Sequence, residues 1–218
     1  MITEDYFLRM INQLAYVLAS VLKQMKLKRF DEALEEIQAS SKQLLGMDLR
    51  LLTTLSDTEV IRLLSLGERF DVEKCVVIGE LLKAVGDVRE QQGREDDAFP
   101  LRTTALSLLL ELSGEEYGTL PQEYYAEVTA LMQKLASAEL PLRMKKKVFR
   151  YYEKMGKFDK AEDVLFEIVD EDVTFADEGT AYYDRLRAKT DEQLRQGNLP
   201  REEIEDSMAD LRKMAGKS

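Results

Sequence analysis

YYEKMGKFDKAEDVLFEIV, residues 151–169, decides the fold of this chain. It reads as the aromatic end of one helix, a stop at Gly156, Phe158 after the stop, and a second helix with Ala161 near its start. Glycine ends helices because, without a Cβ, it reaches left-handed backbone angles without a steric clash. Asp159 is then expected to cap the second helix, and the small Ala161 to let the two helices approach closely. The product is a helical hairpin, which leaves apolar surface bare unless neighbours stack against it.

The pattern recurs upstream. Lys28-Arg29-Phe30-Asp31-Glu32-Ala33 carries it with lysine at the stop, and Gly93-Arg94-Glu95-Asp96-Asp97-Ala98 keeps the glycine and alanine but lacks the aromatic. From position 28 to 93 is 65 residues, and from 93 to 156 is 63. Each interval is close to twice the roughly 34-residue period of tetratricopeptide repeats. The 151–169 stretch resembles the middle of such a repeat, and the resemblance implies a right-handed α-α superhelix, a tetratricopeptide-like solenoid. The expectation is one all-α domain over 1–218, with degenerate units of approximately 1–66, 67–137 and 138–218. Gly197 is discounted as a further copy, because Glu202 stands where the alanine belongs.

A second resemblance rests on Glu4-Asp5-Tyr6, Arg9-Met10-Ile11 and Gln13-Leu14, followed by Leu44-Leu45-Gly46-Met47-Asp48 and Leu51-Leu52. These residues resemble an uncharacterised helical family of Gram-positive bacteria. The match covers roughly the first 70 residues well, and its motifs are packing residues, so it speaks for fold and not for chemistry. It implies a bacterial cytoplasmic protein of tetratricopeptide-like architecture.

Helical periodicity runs through nearly every segment, giving about eleven helices and no sheet. The first spans about Glu4 to Lys26 with Thr3 as cap, and its broad apolar face asks for neighbours on two sides. Later ones run from about Asp31 to Leu45, Asp48 to Thr54, Thr58 to Leu66, Asp71 to Gln92 and Asp96 to Leu112. Ser56 and Glu59 have capping-box spacing. Asp after Phe at 30–31, 70–71 and 158–159 reads as a cap preceded by an aromatic. Pro100 fits if it lies in a first turn, and Ser113 to Leu120, with Gly114 and Gly118, reads as a loop. Helices opening on Pro121 and Pro141, the partner from Asp159 to Asp170, a long helix from Phe175 to Gln196 and one from Pro200 to Met214 complete the chain.

Composition narrows the function. The 218 residues carry a formal net charge of −11, which argues against a nucleic-acid partner and an anionic membrane surface. Histidine is absent, which removes the usual general base, the commonest zinc ligand and any Ser-His or Cys-His pair. Cys75 is the lone cysteine and reads as a small buried apolar residue. No secretory signal or membrane span is expected, because the apolar N-terminal run starts beside acids and is broken by Arg9, Asn12 and Gln13. No phosphate-binding glycine loop or nucleophile elbow appears, so neither an enzyme nor a cofactor is expected.

One segment stands out by sign. Arg143, Lys147, Arg150 and Lys154 step by four, three and four, with Lys145 and Lys146 beside them, while Val148, Tyr151, Tyr152 and Met155 would face the core. By the tetratricopeptide resemblance, Arg143, Lys146 and Arg150 fall where basic side chains clamp a partner's carboxylate. The matching positions before Gly93 are Glu80, Lys83, Asp87 and Glu90. A groove of two signs taking a peptide is one reading; a solvated face paired with acids of neighbouring helices is the other. Asp170, Glu171, Asp172, Asp177 and Glu178 cluster without calcium-loop spacing, and acids at a helix start serve the macrodipole. The expected function is a non-enzymatic protein- or peptide-binding scaffold using the concave face of a tetratricopeptide-like array, the candidate contacts being Arg143, Lys146, Lys147, Arg150 and Lys154. The alternative is a homodimer through the N-terminal helix, and a small-ligand sensor or enzyme ranks below both.

Overall fold

The computed structural model describes residues 2–67, 70–113, 122–136 and 138–216, with the backbone alone for 2–7 and 122–123. Among these there are no strands and twelve α-helices. They are α1 (Ile2–Lys26), α2 (Phe30–Leu45), α3 (Leu49–Leu52), α4 (Asp57–Leu64), α5 (Val72–Gln91) and α6 (Glu95–Leu112). Then follow α7 (Gln122–Leu135), α8 (Leu142–Lys154), α9 (Phe158–Glu171), α10 (Ala176–Arg187), α11 (Asp191–Gln196) and α12 (Arg201–Ala215). A 3-10 turn at Val173–Phe175 joins α9 to α10. Most of the expected loop at Ser113–Leu120, and Pro121 after it, lie outside the described residues.

Three hairpins, α1–α2, α5–α6 and α8–α9, are built on one turn. Lys28, Gly93 and Gly156 sit at φ of 58°, 75° and 68°, the left-handed region. In each, the next residue sends its N–H back five positions: Arg29 to Gln24 O, Arg94 to Arg89 O, Lys157 to Tyr152 O, all at 2.9 Å. That bond, paired with one from the left-handed residue to a carbonyl three back, satisfies carbonyls a helix end would strand. The alanines five positions on, Ala33, Ala98 and Ala161, are all 0% exposed. A larger side chain there would hold the paired helices apart.

The entry to the second helix differs from expectation. Asp31 and Asp159 are not caps; the helices start one residue earlier, at Phe30 and Phe158. The capping positions are Arg29, Arg94 and Lys157, near φ −93°, −106° and −95°, and none caps the helix through its side chain. The carbonyls of Arg29, Arg94 and Lys157 accept the first intrahelical bond, from Ala33, Ala98 and Ala161, as at any helix start. Asp71, where no such turn precedes the helix, does cap α5, its carboxylate accepting from Lys74 N–H at 3.0 Å. Ser56 and Glu59 form the expected capping box.

The chain divides into two compact units, Met1–Ala138 and Glu139–Ser218. In the first, α1 and α2 pack on each other and on α5, α4 packs on α5 and α6, and α7 on α6. α5 is buried around most of its circumference, from Cys75 through Val88. Pro100 lies in the second turn of α6, not the first; a missing N–H so near the start costs one hydrogen bond without ending the helix.

In the second unit, α8 and α9 pair, α12 packs on α9 and α10, and an aromatic cluster fills the centre. Phe149 meets Phe175 and Tyr182 edge-on, at centroid distances of 5.7 and 5.2 Å. Tyr182 Oη donates to the Phe158 carbonyl at 2.8 Å, so the buried ring keeps its polar end satisfied. The long helix expected over 175–196 is broken. Thr190 and Gln193 form a capping box that starts α11 afresh. The Arg201 guanidinium donates to the Arg187 and Lys189 carbonyls that α10 leaves over. At the end of α11 the left-handed residue is Asn198, at φ 56°, not Gly197. Gly197 is there for space: a Cβ on it would lie 2.2 Å from Phe158 Cδ2 and 2.6 Å from the Gly156 carbonyl.

Candidate functional site

The sequence of α8, LRMKKKVFRYYEK, places side chains on three sides. Met144, Val148, Phe149 and Tyr151 turn inward and are buried, while Tyr152 and Met155 are half-buried. Lys145 and Lys146 lie along the flank toward the end of α9. Lys145 pairs with Glu171 and, at 3.2 Å, with Glu167. The hydrogen bond to Glu171 lifts the Lys145 ammonium above its ordinary pKa. Lys146 donates to Asp172 at 2.8 Å and stands 5.0 Å over the Phe175 ring. That bond holds the Asp172 carboxyl below its usual range.

Arg143, Arg150 and Lys154 are exposed and Lys147 is half-buried, along one outer face. Glu153, the acid on the same helix, is half-buried. Arg185 of α10 grips both its oxygens, at 2.6 and 2.9 Å, and also reaches Glu178 at 3.0 Å. The structure thus splits the basic residues of α8. Lys146, expected among the partner contacts, fastens α8 to the segment after α9, and the row 143, 147, 150, 154 faces outward.

The acidic counterpart on α5 is used differently. Glu80 is buried and paired with Lys83 at 2.7 Å, and Lys83 also donates to Glu127 of α7 at 2.5 Å. Burial raises the Glu80 carboxyl above its ordinary value. Burial depresses Lys83, but Glu80 and Glu127 outweigh it and the ammonium ends above its usual pKa. Further along, Arg102 of α6, 5% exposed, donates to Asp87 and twice to Glu90 at 2.7–3.0 Å. Lys134 of α7 reaches Asp87 at 2.6 Å. Hydrogen bonding from Arg102 lowers the Glu90 carboxyl. Gly86 makes room for this arginine, since a Cβ there would lie 3.1 Å from Arg102 Cγ.

Arg102, Lys134 and Arg185 were not singled out from the sequence. The signal for Arg102 was present: it is the one cation in the apolar run Leu101–Leu110, opposite a helical glycine. Lys134 and Arg185 are hard to single out, because Asp87 and Glu153, which they hold, are 47 and 32 residues away.

The acidic cluster at 170–178 is similarly engaged, Glu171 by Lys145, Asp172 by Lys146 and Thr174, Glu178 by Arg185. Among the described residues no group of three or more Cys, Asp or Glu side chains converges to hold a metal ion. Cys75 is 0% exposed, its thiol donating to the Leu108 carbonyl at 3.6 Å. An open cleft of about 290 Å³ lies among Met47, Leu63, Leu66 and Gly67, and the charges on its rim, Asp71 and Lys74, pair with each other at 2.6 Å. No helix among the described residues is long and apolar enough to cross a membrane.

These features define a protein that is helical throughout its described secondary structure, with a row of cations along the outer side of one helix. Residues 1–216 match the family described as a family of unknown function, DUF6483, and the chain belongs to that family. No curated protein and no solved structure matches it.

Proposed function

We propose that this is a non-enzymatic scaffold of tetratricopeptide type, a right-handed superhelical array that binds another protein or peptide through the outer face of α8. The observation that carries the reading is the basic row Arg143, Lys147, Arg150 and Lys154, three of them exposed and Lys147 half-buried, in a chain of net charge −11. A surface of locally opposite sign to its protein selects a partner of the protein's own sign, here an acidic stretch. Guanidinium forks at 143 and 150, two turns apart, grip carboxylates in pairs and fix the direction of the bound segment.

The three identical hairpin turns support the tetratricopeptide reading, with each buried alanine marking the closest approach of a helix pair. In this proposal the acids of α5 hold the array together instead of lining the groove. A bacterial cytoplasmic protein fits the family resemblance and the reduced cysteine. The test is affinity purification from the cells that make the protein, comparing the natural chain with Arg143→Glu/Arg150→Glu. The expected result is a partner recovered with the natural chain and lost with the variant, at unchanged helicity by circular dichroism. Equal recovery with both would overturn the proposal.

A further inference from the structure

We propose that two copies of this chain pair through α1, side by side and antiparallel, along the face that α2 and α5 leave uncovered. Met10, Leu14, Val21 and Met25 point inward and are each at most 4% exposed. Next to them runs a second apolar arc of Leu8, Ile11, Ala15, Leu18, Ala19 and Leu22. Leu8 and Leu22 are 58% and 54% exposed, both alanines are exposed, and Ile11 and Leu18 are half-buried. Apolar side chains exposed singly are ordinary on any protein surface. Here they form a strip without a charge in it.

The spacing names the occupant. Positions 8, 11, 15, 18 and 22 step by three and four, the seam of two helices wound round each other with a seven-residue repeat. Such a seam fits another helix carrying the same repeat, and α1 itself supplies one. Its 25 residues span about 37 Å, enough for three repeats of contact.

Charge sets the direction. In sequence the helix opens with Glu4 and Asp5 and closes with Lys23 and Lys26, with Lys28 and Arg29 just beyond. Parallel copies would place acid beside acid and base beside base. Antiparallel copies bring the acidic start of one helix toward the basic stretch that ends and follows the other, Lys23 to Arg29. With the twofold axis passing between positions 16 and 17, Ala15 lies opposite Leu18 of the second copy and Ile11 opposite its Leu22. Small then faces large along the centre, which fills the seam without crowding. None of this draws on α8, so the dimer and the partner-binding face stand or fall separately.

Light scattering on the full chain over a wide concentration range tests the pairing. The expected result is twice the single-chain 25.1 kDa for the natural protein and the single-chain mass for Leu8→Glu/Leu22→Glu. Both substituted positions face solvent, so circular dichroism should report the same helicity. A natural chain that stays single at every concentration would overturn the proposal, and so would a dimer that survives both substitutions. Orientation is read by mixing an Ile11→Cys chain with a Leu22→Cys chain under oxidant. Buried Cys75 stays out of the reaction. Disulfide-linked pairs are expected in the mixture; their absence there, or linkage of either variant alone, would contradict the antiparallel arrangement.

Discussion

The hairpins α5–α6 and α8–α9 share one backbone turn and put their charges to opposite uses. Both reverse at a glycine of positive φ, send an N–H back five residues, and bury an alanine completely. Yet α5 is enclosed on nearly all sides, and its acids are consumed by Lys83, Arg102 and Lys134. α8 buries one side, ties two lysines to its flank, and keeps a basic row outside. A hairpin of this type therefore fixes how two helices meet and leaves open what they present. The stripe Glu80, Lys83, Asp87, Glu90 and the stripe Arg143, Lys146, Arg150, Glu153 look equivalent in sequence, and neighbours decide which is structural.

The comparison can be broken most sharply at the turns themselves. The α8–α9 turn is buttressed by Gly197, whose carbonyl accepts the Asp159 N–H at 3.1 Å, while nothing lies within 4 Å of where a Cβ would stand on Gly93. Gly197→Ala should therefore destabilise the second unit by about 3 kcal/mol or more, the upper end for an overpacked site. Urea denaturation followed by circular dichroism measures it, and a loss under about 1 kcal/mol would mean that Phe158 yields easily.

Next in size is the contrast between internal and outward cations. Arg102→Met leaves Asp87 and Glu90, both partly exposed, with Lys134 as their remaining partner, and should cost about 2 kcal/mol, less than a fully buried pair would. Arg143→Glu/Arg150→Glu should change stability by no more than about 0.5 kcal/mol, as surface substitutions do. Equal losses in the two variants would erase the distinction between the hairpins.

The turns should then prove interchangeable. Gly93→Ala and Gly156→Ala should each cost about 1 kcal/mol, the strain of a Cβ in the left-handed region. Lys28→Gly relieves the same strain and should stabilise the first hairpin by up to about 1 kcal/mol. A loss on Lys28→Gly would show that this turn is held by its side chain instead of its backbone.

The smallest effect is a pH dependence. Burial raises the Glu162 carboxyl above the ordinary 4.5, even though Tyr183 Oη donates to it at 2.8 Å. The folded chain then holds this proton to higher pH than the unfolded chain, so this group's contribution falls as pH rises above 4.5. Glu162→Gln can still accept from Tyr183 and should flatten that slope, leaving the variant at least as stable as the natural chain at neutral pH. An unchanged slope in urea titrations at stepped pH would assign the dependence elsewhere.

How much of this was legible follows from where each signal resides. The stops at Gly93 and Gly156 were readable because a positive φ selects glycine, and Lys28 was readable by its place in the pattern. The caps at Asp31 and Asp159 were misread because the turn leads into the helix one residue earlier, at Phe30 and Phe158, which puts each Asp inside the first turn. The break at 188–190 was missed because neither glycine nor proline marks it. Its one mark is the Thr190-x-x-Gln193 box. The broad apolar face of α1 was visible, but that α2 and α5 cover only part of it depends on how three helices meet. The basic row of α8 was visible as well. Which of its members turn to Glu171 and Asp172 depends on where α9 ends, and no local pattern states that.

Zero-length coupling of lysines to carboxylates in the captured complex, read by mass spectrometry, tests the contrast between the two hairpins most directly. Lys147 and Lys154 should join to acidic residues of the bound protein, while Lys83 and Lys134 join to Glu127 and Asp87 within the chain. A bound protein attached through Lys83 or Lys134, with α8 carrying no such links, would contradict the account.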